Sequence, residues 1–471
     1  MKIYTILLLL CFQISFATDP VKIELPEKAR VEGTYSFTVE ENKSMHLIIA
    51  KDRGNKQYIV KPVLVFPDRS IQYFEMIELE LLPRIMAHHT YQEKIIITGH
   101  NYKEKELVII ELNTKDGSHQ TRMVRNQKSP DFVLSSKNES YLVKRPGSSK
   151  RLFVQRIRNS EDEEQIQIDI PKTKRSRFKH IYDLWGTEIN QNEYVSKGSV
   201  IENKVYVDGN NLIFTERTTV ASSVDCMIVK LDDEPALIFK NQRGSGIYKP
   251  KDFNSYYLDG MMFTVASNKE DLVFSTYKME MQQELARISL KNDLSQKYDN
   301  IPEFLKWLAK GKISPTLTVN PTTDGNYLVD INLVDNREYF YRYYDFCPMW
   351  MTNDFFWQQH NQHVQDVINN LPPPPRFKPS LEMYENMDAL YTNGKEFETL
   401  QFVVDKNGNL LKEGSMETIE AFVDKDKFID QFEDDKKKLH LSYSFTDTTM
   451  SYIYQDKKSK DVFVSFQSIL E

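Results

Sequence analysis

The sequence predicts an all-β chain built from repeated antiparallel units, and three observations carry that prediction. The first is the stretch KIIITGHNYKEKELVIIELNTKDG, where the apolar runs Ile95–Ile97 and Leu107–Ile110 flank a polar middle and a Lys-Asp-Gly turn follows. The second is that the same grammar recurs. Leu47–Ile49 stands opposite Tyr58–Val60, and Tyr141–Val143 opposite Leu152–Val154; NLIFTERTTVASSVDCMIVKL, DLVFSTYKMEMQQELARISL and NYLVDINLVDNREYFYRYYD follow, then KEFETLQFVVDKNGNLLKEG and MSYIYQDKKSKDVFVSFQ. The third is spacing: first runs beginning at Leu47, Ile95, Tyr141, Leu212, Leu272 and Tyr327 lie 48, 46, 71, 60 and 55 residues apart.

A hairpin uses about 20 residues, so each period has room for one or two more strands. Candidates are Tyr35–Glu40, Pro130–Ser136 and Tyr256–Ser267. One four-stranded sheet cannot bury both of its faces, whereas sheets stacked in a ring bury them on one another and leave few open edges. From Gly33 to Gln467 the pattern resembles that of β-propeller proteins. The resemblance implies a ring of six to eight antiparallel four-stranded blades, and an irregular β-sandwich array is the alternative. No Gly-His…Trp-Asp signature names a subfamily. With only 16 glycines in 471 residues, the turns must draw on Asn, Asp and Lys.

Composition narrows the class. The chain is 40% hydrophobic and 12% aromatic, enough for a large core, and its formal charge of −7 recruits it neither to nucleic acid nor to an anionic membrane. Its start reads as a cleavable signal over residues 1–17: a basic Met1-Lys2, an apolar Ile3–Phe16, then small residues at Ser15 and Ala17 before Thr18-Asp19-Pro20. The apolar segment is short of the ~20 residues that span a bilayer. The expectation is an exported, periplasmic or extracellular domain over 18–471. After cleavage Cys226 and Cys347 remain, as a single disulfide or as two inert thiols.

Regularity breaks in three places. Residues 159–200 begin as an acidic-to-basic run, Glu161–Glu164 followed by Lys172–Lys179, which reads as a charged loop insertion, a solvated connection or a docking loop. Asn300–Lys312 predicts a short helix, with Pro302 in its first turn and Phe304, Leu305 and Leu308 on one face. Residues 345–385 form a helical and Pro-rich insertion, where a helix from Asn353 or Asp354 runs to Leu371 and stops at Pro372–Pro375.

Candidate ligand-binding residues sit where segments enter a blade. His88 and His89 are one group, and His180, Tyr182, Asp183 and Trp185 a second. Trp350 and Trp357 belong to a third, ten aromatics within the 19 residues Tyr339–Trp357, which serve either as an exposed platform or as core. His360, His363 and Asp366 recur at three-residue steps on the inserted helix, a spacing that can hold a transition metal, though no acidic base lies between the histidines. Asp405–Asn409 has the start of a calcium loop without its later acidic ligand, and turn chemistry accounts for it better. There is no phosphate-binding loop, nucleophile elbow or zinc-spaced cysteine pair, so no cofactor is expected. The reading is an exported binding or interaction protein that recognises a protein, peptide or glycan. A carbohydrate-active hydrolase or lyase, and a structural subunit of an envelope or extracellular assembly, are the alternatives.

Overall fold

The computed structural model describes residues 20–335, 396–411 and 437–468, omitting within them 145–150, 172–186, 190–194, 196–203, 218–222 and some shorter stretches. The expected signal over 1–17 and the insertion at 345–385 therefore lie outside the described residues.

Among the described residues seven sheets follow one another, antiparallel but for the short parallel pairing of Thr187–Glu188, and the protein is a β-propeller with seven described blades. Blade 1 is Ala29–Val39, Lys43–Asp52 and Tyr58–Val65, with Ile71–Tyr73 and Ile77–Leu79 both pairing on its third strand. Blade 2 is Arg84–Tyr91, Lys94–Asn101, Glu106–Asn113 and His119–Val124, and blade 3 is Phe132–Ser135, Ser140–Lys144, Arg151–Ile157 and Glu163–Asp169. Blade 4 is Lys204–Asp208, Asn211–Arg217, Ser223–Lys230 and Ala236–Arg243, and blade 5 is Asp252–Leu258, Met261–Ser267, Leu272–Lys278 and Gln283–Ser289. In blade 6 the inner strand is split into Ile313–Pro315 and Thr318–Pro321, both paired with Tyr327–Asp335, which pairs in turn with Glu396–Val404. The two prolines fall on the inner edge, where a missing N–H costs no ladder bond.

Blade 7 takes three strands from the C-terminal end, Lys438–Phe445, Thr449–Asp456 and Val462–Ser468. Its outer strand is Val21–Ile23, paired Val21↔Val464 and Ile23↔Val462, so the beginning of the chain completes the last blade. Separate apolar cores lie between blades 7 and 1 (Ile23, Ile48, Val464), 1 and 2 (Phe37, Leu47, Ile97), 2 and 3 (Ile96, Ile109, Leu142), and 3 and 4 (Leu134, Val154, Phe214). A larger core joins blades 4, 5 and 6. The sandwich alternative is thereby replaced by a stack in which neighbouring blades cover one another, most fully at the middle strands of blades 2 and 5. All seven residues of Met261–Ser267 are buried.

The opening hairpin is the middle of blade 2, with Ile97 opposite Ile110. Two of the expected hairpins are framed differently. Leu272–Lys278 and Gln283–Ser289 are the outer half of blade 5, not its middle, and Tyr327–Asp335 pairs with strands before it and far after it, not with the aromatic run that follows. The predicted helix is present at Ile301–Leu308, with Ile301, Phe304 and Leu308 buried against the large core. Asn300 does not cap it; its side-chain amide donates to the Thr399 carbonyl at 3.2 Å and ties the helix to blade 6.

The 159–200 stretch divides. Its acidic part is a tight turn plus the outer strand of blade 3, and its charges are spent on neighbours. Arg158 lies 3.3 Å from both Glu139 and Asp162, Arg122 lies 3.7 Å from Glu163, and Arg156 3.6 Å from Glu164. Ser160 gives its N–H and hydroxyl to Glu111 of blade 2 at 3.1 and 2.9 Å. The first part of the expected insertion, through Asp169, is therefore blade, and it locks blade 3 to blade 2. The basic part, 172–186, lies outside the described residues.

Candidate ligand-binding features of the ring

Neighbouring side chains on a strand point to opposite faces, and His88 and His89 divide accordingly. His88 turns to blade 1, stacked on Phe37 at 3.9 Å between ring centres, with the Tyr35 hydroxyl 3.5 Å from its Nδ1. His89 turns to blade 3. Its Nε2 lies 3.0 Å from the Arg158 carbonyl, which can only accept, so Nε2 carries the proton and Nδ1 accepts from the Ser140 hydroxyl at 2.8 Å. Burial pushes both imidazoles down, His88 to about 3 with the neighbouring His89 adding to it, and His89 to about 4 against the opposing pull of the Arg158 carbonyl. The pair is thus committed to two blade junctions. His180, Tyr182, Asp183, Trp185, Trp350, Trp357, His360, His363, Asp366 and Cys347 lie outside the described residues. Among the described residues no cluster of three metal-ligating side chains occurs, and Cys226 is a buried free thiol.

Described pieces of the chain itself lie against the inner strands of blades 4 and 6. Thr187–Glu188 pairs in parallel inside the inner strand of blade 4. Eight residues on from Thr187, Val195 exchanges two hydrogen bonds with the side chain of Asn320 on blade 6, N–H to Oδ1 at 2.9 Å and Nδ2 to its carbonyl at 3.0 Å. Two described pieces of the connection from blade 3 to blade 4 thus meet the inner strand of blade 4 and the inner strand of blade 6. Lys204, wholly buried, sends its ammonium to the Ser255 and Leu317 carbonyls at 3.0 and 3.5 Å, over the Tyr256 ring. A buried ammonium is tolerated only with such acceptors.

On the ring face that carries the hairpins between first and second strands, tyrosines clasp aspartates of the preceding blade. Tyr257 of blade 5 donates to Asp208 of blade 4, and Tyr327 of blade 6 to Asp259 of blade 5 at 3.1 Å. Burial first, then the adjacent carboxylate, raises the proton affinity of both phenols. Each aspartate precedes a glycine in its turn, and Asp259 and Gly260 have φ of 50° and 74°, as a two-residue hairpin turn requires.

A cleft of about 130 Å³ lies between blades 2 and 3, beside the loop joining blade 2's middle strands and the linker into blade 3. Its polar wall is His100, Gln127, Lys144, Gln155 and Gln165, and its apolar wall includes Leu107, Leu142 and Ile166. No carboxylate, hydroxyl or thiol side chain is among its described lining residues. His100 is buried and its Nε2 donates to the Gln127 carbonyl at 2.9 Å. Burial lowers the proton affinity of the ring, the Gln127 bond opposes this, and the charge of Lys144 lowers it further. Sequence reasoning missed this group because its members come from five segments with no motif among them. It also missed the Tyr–Asp clasps, although the recurring dipeptides Asp208-Gly209, Asp259-Gly260 and Asp324-Gly325 were there to be counted.

No family model matches the chain, and no curated protein does. Solved structures with similar architecture include the β-propeller domain of the Trilobed protease from Pyrococcus furiosus, at 8% identity and a TM-score of 0.35, covering 95% of this chain and 97% of that one. Porphyromonas gingivalis dipeptidyl peptidase 4 aligns at 8% identity and a TM-score of 0.32, over 66% of this chain and 46% of that one. Kluyvelomyces marxianus Hsv2 aligns at 8% identity and a TM-score of 0.30, over 93% of this chain and 97% of that one. Values this low give no basis for transferring an activity.

Proposed function

We propose that this chain is an exported β-propeller binding protein that recognises a protein, peptide or glycan partner and does not transform it. The observation that carries the reading is the cleft between blades 2 and 3. It joins an apolar wall to amide, imidazole and ammonium groups, which suits recognition, and its described lining residues include no nucleophile and no carboxylate to serve as acid or base. The described inner strands of blades 4 and 6 support the same reading, because Asn320 and Lys204 use their polar groups on the chain's own backbone. Export is supported by the basic start, apolar run and small residues that end at Ala17.

The test is a thermal-shift panel of oligosaccharides and peptides, followed by product analysis on every hit. Binding without turnover is the expected result. A ligand at 100 times its dissociation constant adds about 2.7 kcal/mol, a visible shift. Turnover of a bound sugar or peptide would overturn the reading. For export, N-terminal analysis of the expressed protein should find Thr18 first, and an intact Met1 in the cytoplasm would overturn that part.

A further inference from the structure

Resting on the binding reading above and deepening it at the same site, we infer that the cleft between blades 2 and 3 takes the acetamido group of an N-acetylated amino sugar, with the sugar ring outside at the mouth.

Size sets the first limit. An apolar cavity of roughly 150 Å³ holds benzene, so a cleft of about 130 Å³ takes about six heavy atoms. A methyl, a carbonyl and a nitrogen fit within that space, and a sugar ring with its hydroxyls does not.

Registry sets the second. Leu142, Gln155 and Gln165 stand in one row across blade 3, held on one sheet. Leu142 is buried, Gln155 half-buried and Gln165 exposed. Leu107 of blade 2 shares an apolar cluster with Leu142 and closes that end. Along the row the wall therefore passes from apolar, through a partly covered amide, to an amide in solvent. An acetamido group has the same order: methyl, carbonyl, then an N–H that leads out to the ring.

Chemistry sets the third. The Gln155 side-chain N–H₂ is buried and has no acceptor among the described residues. A buried donor in that state is costly, and an incoming oxygen relieves the cost. A neutral carbonyl does so without carrying a charge in beside Leu107 and Leu142, where an anion gives up its hydration. An amine brings no acceptor. The acetamido N–H then meets the Gln165 side chain, whose carbonyl accepts. Gln127 and Gln165 both line the cleft, and their amides donate as well as accept, as the hydroxyls of a sugar ring do. Phe153, half-buried in the same wall, adds an apolar face for the ring.

The experiment measures saturable binding to the purified chain by saturation-transfer NMR. The probes are N-acetylglucosamine, glucosamine, glucose and N-acetylglycinamide. N-acetylglucosamine should bind about tenfold or more tighter than glucose or glucosamine, and its acetyl methyl should be the most strongly saturated group. Gln155→Met should weaken it about tenfold, and Gln155→Glu, which keeps nearly the same shape and loses the N–H, provides a second loss. Free of ligand, Gln155→Met should keep or exceed the parent's thermal midpoint, because it removes a donor that had no acceptor. A lower midpoint would show that the amide already has a partner, and overturns the assignment. If glucose matches N-acetylglucosamine, if another group outranks the methyl, or if neither variant changes binding, the acetamido assignment falls and the binding reading stands. Tighter, Gln155-dependent binding of N-acetylglycinamide replaces the sugar with an acylated peptide and also overturns it. If none of the four saturates, the assignment falls, and the wider oligosaccharide and peptide panel decides the binding reading separately.

Discussion

His46 Nε2 lies 3.0 Å from the Ser451 hydroxyl, across the junction where the first blade meets the last. Its Nδ1 lies 2.7 Å from Ser36, which is 2.6 Å from Ser442 of the last blade. Beside them Thr38 reaches Ser444 at 3.0 Å and the Phe445 carbonyl at 2.8 Å. The inner part of this junction is therefore a ladder of hydroxyls around one buried imidazole. Replacing His46 by Ala leaves a cavity and two buried hydroxyls short of partners, and should destabilise the protein by about 3 kcal/mol. Ser451→Ala should cost about 1 kcal/mol. Urea denaturation measures both, and a His46→Ala loss below about 0.5 kcal/mol, the level of an ordinary surface change, contradicts the ladder.

Acid should unfold the ring through its histidines. Burial holds His46 and His88 at about 3 and His89 at about 4 in the folded state, against 6.5 for a free imidazole. The unfolded chain therefore binds more protons below pH 6.5, and stability falls as pH drops from there toward 4. Each group contributes up to about 1.4 kcal/mol per pH unit in that window. Above pH 6.5 their contribution is complete. Thermal midpoints recorded from pH 7.5 to 4.5 should fall steeply below 6.5, and a flat profile down to 5 would refute the assignment.

The Tyr–Asp clasps should couple adjacent blades. Tyr257→Phe removes the donor to Asp208 and should cost about 1–2 kcal/mol. A double-mutant cycle with Asp208→Ala should give a coupling of about 1 kcal/mol, and additive losses would show that the contact is worth nothing.

Cys226 should resist thiol reagents until the protein unfolds. It is fully buried, and burial pushes its thiol up to about 12, with Lys240 opposing and Asp225 adding. The thiolate is the reactive form, so peptide mapping after native labelling should find Cys226 unmodified and after urea fully modified. Native labelling at this position sinks the prediction.

Removing the first strand should loosen the last blade. Ile23 is 2% exposed and packs with Val464, and Ile23→Asp buries a charge there. A loss of about 3 kcal/mol is expected in denaturation. Hydrogen exchange should rise first along Val462–Ser468, and uniform exchange across the blades would argue against this strand as the closure.

Local pairings were legible because both strands and their turn lie within about 20 residues. Ile97↔Ile110, Val143↔Val154 and Ile453↔Val464 all follow from apolar runs around polar turns. Blade 5 was misframed for a physical reason: Met261–Ser267, read only within a candidate additional strand, and Leu272–Lys278 are both buried almost throughout, so no alternation shows that these two pair at the middle of the blade. Blade 6 was misframed because the partner of Tyr327 is Val404, beyond a long intervening segment. The closing pair Val21↔Val464 has no local trace at all. The cleft was not legible either, since Lys144 and Gln155 look like ordinary surface residues until registry sets them beside Leu142.

The three-residue strand Val21–Ile23 must wait for its partner while about 440 further residues are made. At 5–20 residues per second, that wait is between roughly 20 and 90 seconds on the ribosome. Through all of it the flank of blade 1 that will meet blade 7 stands uncovered. Its inner part offers Thr34, Ser36, Thr38 and His46, groups that water satisfies as well as the eventual neighbour does. The inner part of that flank stays wettable to the crowd around it, and it is the patch of Val31, Ile48 and Val63 beside it that needs the last blade to cover it.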